Sequence, residues 1–124
     1  MLRDNIKLRF LHESEFLLIS KLLDLCKEPY KTQSPLRQIL VFDLTDDAGM
    51  GSFEFFYDGN DTREFGKPLI QAETYDTDGR KIMLELSLDN YGYLYQLDSW
   101  TSDFNPLASP LGTLDILENI RFEF

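Results

Sequence analysis

The chain has little of what catalysis and metal binding usually require. Among its 124 residues there is one cysteine, one histidine and one tryptophan. A single Cys26 excludes an internal disulfide. With no basic-then-apolar leader across Met1 to Leu11, it points to a reducing compartment, the cytoplasm, and away from secretion. One His and one Cys cannot assemble a zinc site of ordinary composition. Both kinds of glycine-rich phosphate loop are missing. No apolar run reaches the roughly eighteen residues of a membrane span. The longest, about Phe16 to Leu23, is interrupted by Ser20 and Lys21. Asn60-Asp61-Thr62 spells a glycosylation sequon, which a cytoplasmic chain does not use.

Positive charge is also scarce, and unevenly so. The net charge is −10. Residues 1–37 carry seven Lys/Arg against five Asp/Glu, whereas residues 38–124 carry five against seventeen. Phosphate backbones are repelled by that second segment, so nucleic acid is excluded as a partner and a membrane surface is not expected. An acidic face does favour solubility and rapid encounter with basic proteins.

What is present is core-forming material. At 43% hydrophobic and 14% aromatic residues, the composition is that of a folded chain, and the length fits one domain over residues 1–124. A helix is expected over Glu13 to Lys27. His12 stands at the N-cap, Glu15 is placed to reach back as in a capping box, and Leu11 and Phe16 occupy staple positions. Phe16, Leu18, Ile19, Leu22, Leu23, Leu25 and Cys26 fall mostly on one stripe of period 3.6. Beyond Pro29 and Pro35 the period changes to two. Strands are expected at Gln38–Leu44, Ser52–Tyr57, Pro68–Tyr75, Lys81–Leu88 and Tyr93–Ser99. The expected architecture is α+β: the N-terminal helix packed on an antiparallel meander of four to five strands.

The turns share a spelling. Asp46 to Gly49, Asp76 to Gly79 and Asp89 to Gly92 all read Asp-x-x-Gly, the signature of a type I turn closed by a left-handed glycine bulge. For the second, this loop sets Ile70, Ala72 and Thr74 opposite Leu86, Leu84 and Ile82, so the apolar sets coincide. A two-residue turn would slip the pairing by one and oppose them to Ser87, Glu85 and Met83. For the third, the same loop sets Leu94 opposite Leu88 but Gln96 and Asp98 opposite Leu86 and Leu84. A one-residue change instead turns Tyr95 and Leu97 to the core, and the pattern leaves the choice open. From Asn105 onward, with Pro106 and Pro110, the pattern allows a loop followed by either a helical turn or an edge strand. Leu114, Ile116, Leu117, Ile120, Phe122 and Phe124 there are placed to pack back on the core.

No catalytic residue and no cofactor is expected. His12 reads as a helix cap, and Cys26 as a buried, inert thiol. Asp76-Thr77-Asp78-Gly79 begins like a calcium loop but has Ser87 where the bidentate Glu belongs. Asp43, Asp46 and Asp47 could gather a hard cation near Gly49, yet acids in a turn are ordinarily solvated. Two segments exceed what folding demands. In the first, Asp47, Gly49, Met50 and Gly51 offer backbone that can approach a neighbour closely. In the second, Asp98, Trp100, Asp103 and Phe104 combine aromatics with acids, a fair contact site for a cation. The ordinary reading, which is favoured, is that Trp100 and Phe104 plug the sheet end and the acids cap backbone N–H groups of the following turn.

The same segments carry a resemblance. Asp47-Ala48-Gly49-Met50-Gly51-Ser52, Asp76-Thr77-Asp78-Gly79 and the Leu97, Asp98, Trp100, Asp103, Phe104, Pro106, Leu107 series make the chain similar to an uncharacterised bacterial family, a domain of unknown function. The chain departs from that pattern at Ala48, where Gly is usual, and at Thr101, where Lys is common. The resemblance implies a bacterial source and no particular activity. Two functional classes follow. One is a non-catalytic binding domain, of the immunity type that masks a basic partner. The other is a small-ligand or cation-binding domain, or a carboxylate-dependent enzyme, with its site between the Gly49–Ser52 and Asp98–Asp103 segments.

Overall fold

A computed structural model describes residues 6–59 and 62–122. Asn60, Asp61 and Phe124 lie outside the described residues. The helix α1 runs Glu13–Leu25, two residues shorter than its pattern, because Cys26 turns to extended backbone and no basic residue enters the last turn. His12 is the N-cap, and its N–H donates to Glu15 Oε1 at 2.8 Å. Arg9 grips the same carboxylate at 2.7 and 2.9 Å and Asp43 at 2.7 Å, tying the helix start to the sheet. Leu18, Ile19 and Leu22 are the buried helix stripe. Each such burial stabilises by roughly 1.5–3 kcal/mol.

The expected sheet of four to five strands is corrected to seven. They are β1 (Arg9–Phe10), β2 (Leu40–Asp43), β3 (Phe53–Phe55), β4 (Phe65–Tyr75), β5 (Lys81–Asp89), β6 (Leu94–Thr101) and β7 (Glu118–Arg121). All neighbours are antiparallel. The five expected strands correspond to β2 through β6. The added two are edge strands too short to show an alternation: β1 has two residues and β7 four. The sheet is not a simple meander either. Its order is β1-β2-β3-β6-β5-β4-β7, so β3 pairs with β6 and the chain crosses the sheet between β3 and β4. The tail takes the edge-strand alternative.

Both hairpin questions have definite answers. The second turn pairs Ile70 with Leu86, Ala72 with Leu84 and Thr74 with Ile82, the bulged-loop register. The third uses the same loop and then corrects itself. Leu94 faces Leu88, a register shift follows, and Leu97 faces Leu86. Both leucines are thereby fully buried. One face of the sheet, through Val41, Phe53, Phe55, Ile70, Leu84, Leu86 and Leu97, forms the core with α1, and Leu111 closes it from the returning loop. Among the described residues no helix is long and apolar enough to cross a membrane.

Candidate functional site

The two segments singled out in the sequence touch. Asp47 Oδ1 accepts from Gly49 N–H at 3.0 Å and Oδ2 from Ser52 N–H at 2.7 Å, so this carboxylate shapes its own turn. Here the turn starts at Asp47 rather than Asp46, with Met50 N–H donating to the Asp47 carbonyl at 3.3 Å. Ala48 and Gly49 both take positive φ, +59° and +77°. Leu107 N–H donates to the Gly49 carbonyl at 3.1 Å. A Cβ on Gly51 would lie 2.8 Å from Leu107 Cδ1, and one on Gly49 3.3 Å from Pro106 Cβ. Pro106 and Leu107 thus pack directly on this turn. Its glycines serve that contact between segments, and Met50 is half-buried beside it.

Ser52 continues the join. It is buried, and its Oγ accepts from Ser99 N–H at 2.9 Å. The same hydroxyl lies within donating distance of the Ser99 carbonyl, 3.1 Å, and of Asp98 Oδ1, 3.2 Å. A side chain here extends the β3–β6 ladder by one rung where the backbone has begun to turn away.

Asp103 and Asp98 part company. Asp103 belongs to a clasp built on Arg80, whose guanidinium reaches Asp76 at 3.2 Å, Asp78 at 2.8 Å and Asp103 at 3.0 Å. Hydrogen bonds from Asn105, with the Arg80 guanidinium, hold the Asp103 carboxyl far below the usual carboxylate range. Asp76, whose side chain is 1% exposed, also accepts from Ala108 N–H at 2.6 Å and Ser109 N–H at 3.1 Å. It therefore pins the returning loop to the β4–β5 turn as well as shaping that turn.

Asp98 lies on the face of the sheet opposite to α1. Strand alternation puts Glu54, Gln96, Ser87, Asp98, Glu85, Gln71, Trp100, Met83 and Glu73 on that outer face. At one end it is closed by Arg63, which bonds Asp89 at 2.7 Å, lies 3.8 Å from Glu54, and sits over the rings of Tyr57 and Tyr95. Arg63 and Asp89 side chains are only 6% and 0% exposed. The other end stays open. There Trp100 faces Met83, and Asp98 faces Glu85 directly across the strands, each partly exposed. Glu85 accepts from Gln71 at 2.7 Å and Asp98 from Ser52, but neither forms an ion pair among the described residues. Like charges placed directly opposite cost stability. Glu73, the next acid along, is matched by Lys81 at 3.1 Å.

Glu85 and Met83 were not among the sequence-derived site residues, although the alternation in β5 places both away from the core. Phe104 is 65% exposed with a left-handed φ of +59°. His12 Nδ1 lies 3.4 Å from Glu15 at the helix start, away from both segments. Burial, helped by Glu28, pushes the Cys26 thiol up to about 11, so it is protonated at neutral pH. Asp43 is engaged by Arg9 and Asp47 by its turn. Among the described residues no group of three or more His, Cys, Asp or Glu is arranged to hold a metal ion.

A family model described as "Domain of unknown function (DUF6984)" matches residues 8–110, from just before β1 into the loop after β6. No curated protein and no solved structure matches the chain.

Proposed function

The chain belongs to the DUF6984 family, a domain of unknown function, and on that premise we propose that it is a non-catalytic bacterial protein that binds and masks a basic partner through the open end of its outer sheet face. The observation that carries this reading is the Asp98–Glu85 pair. Two carboxylates stand opposite one another with no ion pair to either among the described residues, beside a half-buried Trp100 and Met83. An arginine or lysine from a partner would relieve their repulsion and lie against an indole face in one step. Charge supports the same reading, since residues 38–124 hold seventeen of the twenty-two acids and a field of that sign steers basic proteins toward the chain. A toxin-neutralising protein of the immunity type, acting in the cytoplasm, has this chemistry.

The test is an NMR titration of the isotope-labelled protein with a lysine decapeptide. Amide shifts are expected to concentrate at Met83, Glu85, Gln96, Asp98 and Trp100, and to vanish at 300 mM salt on the order expected for exposed charge. Shifts spread evenly over the acidic residues of 38–124, or confined to another surface, would contradict the proposal.

A further inference from the structure

Among the described residues Phe104 is the most exposed of the large apolar side chains, at 65%, and it is outside the core cluster and the side chains packed on it. Its backbone is the costly one for a residue with a Cβ, φ +59°. Folding alone would be better served at this position by Gly or Asn. The conformation is nevertheless fixed from both sides. Phe104 N–H donates to the Thr101 carbonyl at 3.1 Å, and the Thr101 hydroxyl donates to the Asn105 carbonyl at 2.7 Å. Arg80 holds Asp103 at 3.0 Å and the Pro106 carbonyl at 2.9 Å. An aromatic residue outside the core is thus carried on fixed backbone with most of its surface in solvent, one turn beyond the strand that carries Trp100. Such backbone persists where surrounding contacts over-determine it, and it concentrates at functional positions. The charge beside the ring is acidic: one guanidinium serves Asp76, Asp78 and Asp103, and the last two are 42% and 46% exposed.

We infer that Phe104 is the preorganised apolar anchor of the binding surface, and that the protein partner offers an apolar pocket framed by Lys or Arg. The inference rests on the reading that the outer face takes a basic partner. A rigid aromatic costs little entropy on docking, which is why such residues dominate interfaces.

Two decapeptides separate the anchor from the charge. Each has eight lysines; one adds two leucines and the other two serines. Calorimetric titration is expected to show the leucine peptide binding at least fivefold tighter. In Phe104→Ala that advantage falls below twofold, the leucine peptide losing more affinity than the serine peptide. Phe104→Gly loses the same advantage and raises the melting temperature, since it relieves the backbone. Equal affinities in the wild type, or an advantage that survives Phe104→Ala, overturn the anchor and leave the acidic face standing. A lowered melting temperature in Phe104→Gly gives the ring a packing role and also overturns it. Failure of both peptides to bind overturns the acidic face and the anchor together.

Discussion

At the scale of single residues, the clearest departures from local preference are Ala48 and Phe104, both in left-handed backbone. Ala48 opens a turn whose other constraints come from Asp47, Gly49 and Gly51, and its methyl group gains nothing visible there. Ala48→Gly is therefore expected to stabilise the protein by about 0.5–1 kcal/mol, measured as an upward shift of the urea midpoint. Arg63 shows the opposite case, a residue whose importance left no trace in the sequence. A lone arginine between turn residues gives no hint of burial, since its close charge partner Asp89 and the ring of Tyr95 come from a distant part of the chain and Glu54 and Tyr57 meet it only across a loop. Asp89→Asn removes that buried guanidinium's close counter-charge and leaves it only the more distant Glu54. A loss of about 3 kcal/mol is expected from chemical denaturation.

At the scale of elements, hydrophobic period and turn spelling carried most of the information. The stripe of α1 and the alternation of β5 are visible because each buries one face against the core. The β4–β5 register was legible because only one loop type aligns Ile70, Ala72 and Thr74 with their partners. The β5–β6 register was not, because a bulge satisfies both alternatives in turn, with Leu94 and then Leu97 reaching the core. Strands β1 and β7 escaped because two and four residues at a sheet edge hold too little alternation. The crossover that sets β3 beside β6 depends on long-range pairing that no local pattern encodes. That pairing determines the site, since it brings Ser52 to Asp98 and places the Asp47 turn against Leu107. The outer face of β5 and β6 carries its own prediction. The double variant Glu85→Gln with Asp98→Asn removes a cross-strand repulsion worth roughly 0.2–1 kcal/mol. Its melting temperature should exceed that of the wild type by about 1–4 °C.

At the scale of the whole molecule, acidity has two consequences of opposite sign. Net charge of −10 favours encounter with basic proteins. The carboxylates that are paired in the folded state also make its stability depend on their ionisation. Asp43 is lowered by its hydrogen bonds from Arg9, Glu13 by Arg37, Glu73 by Asn119 and Lys81, and Asp103 by Asn105 and Arg80. Each folded value lies below the unfolded one, so the stability these groups contribute is present above about pH 4 and is lost as pH falls through the folded values. Thermal melting should change little between pH 6 and 8 and decline progressively below about pH 4. The proposed binding surface asks for something different, because Asp98 and Glu85 form no ion pair among the described residues and, on that proposal, a partner supplies the cation. The most direct measurement is an affinity capture from bacterial lysate with the wild type and the Glu85→Gln, Asp98→Asn double variant side by side, each washed at low and at high salt and read by mass spectrometry. A basic protein held in stoichiometric amount by the wild type, released at high salt and missing from the folded double variant is the predicted result; a partner retained equally by both, or none with either, would contradict the acidic outer face as the binding surface.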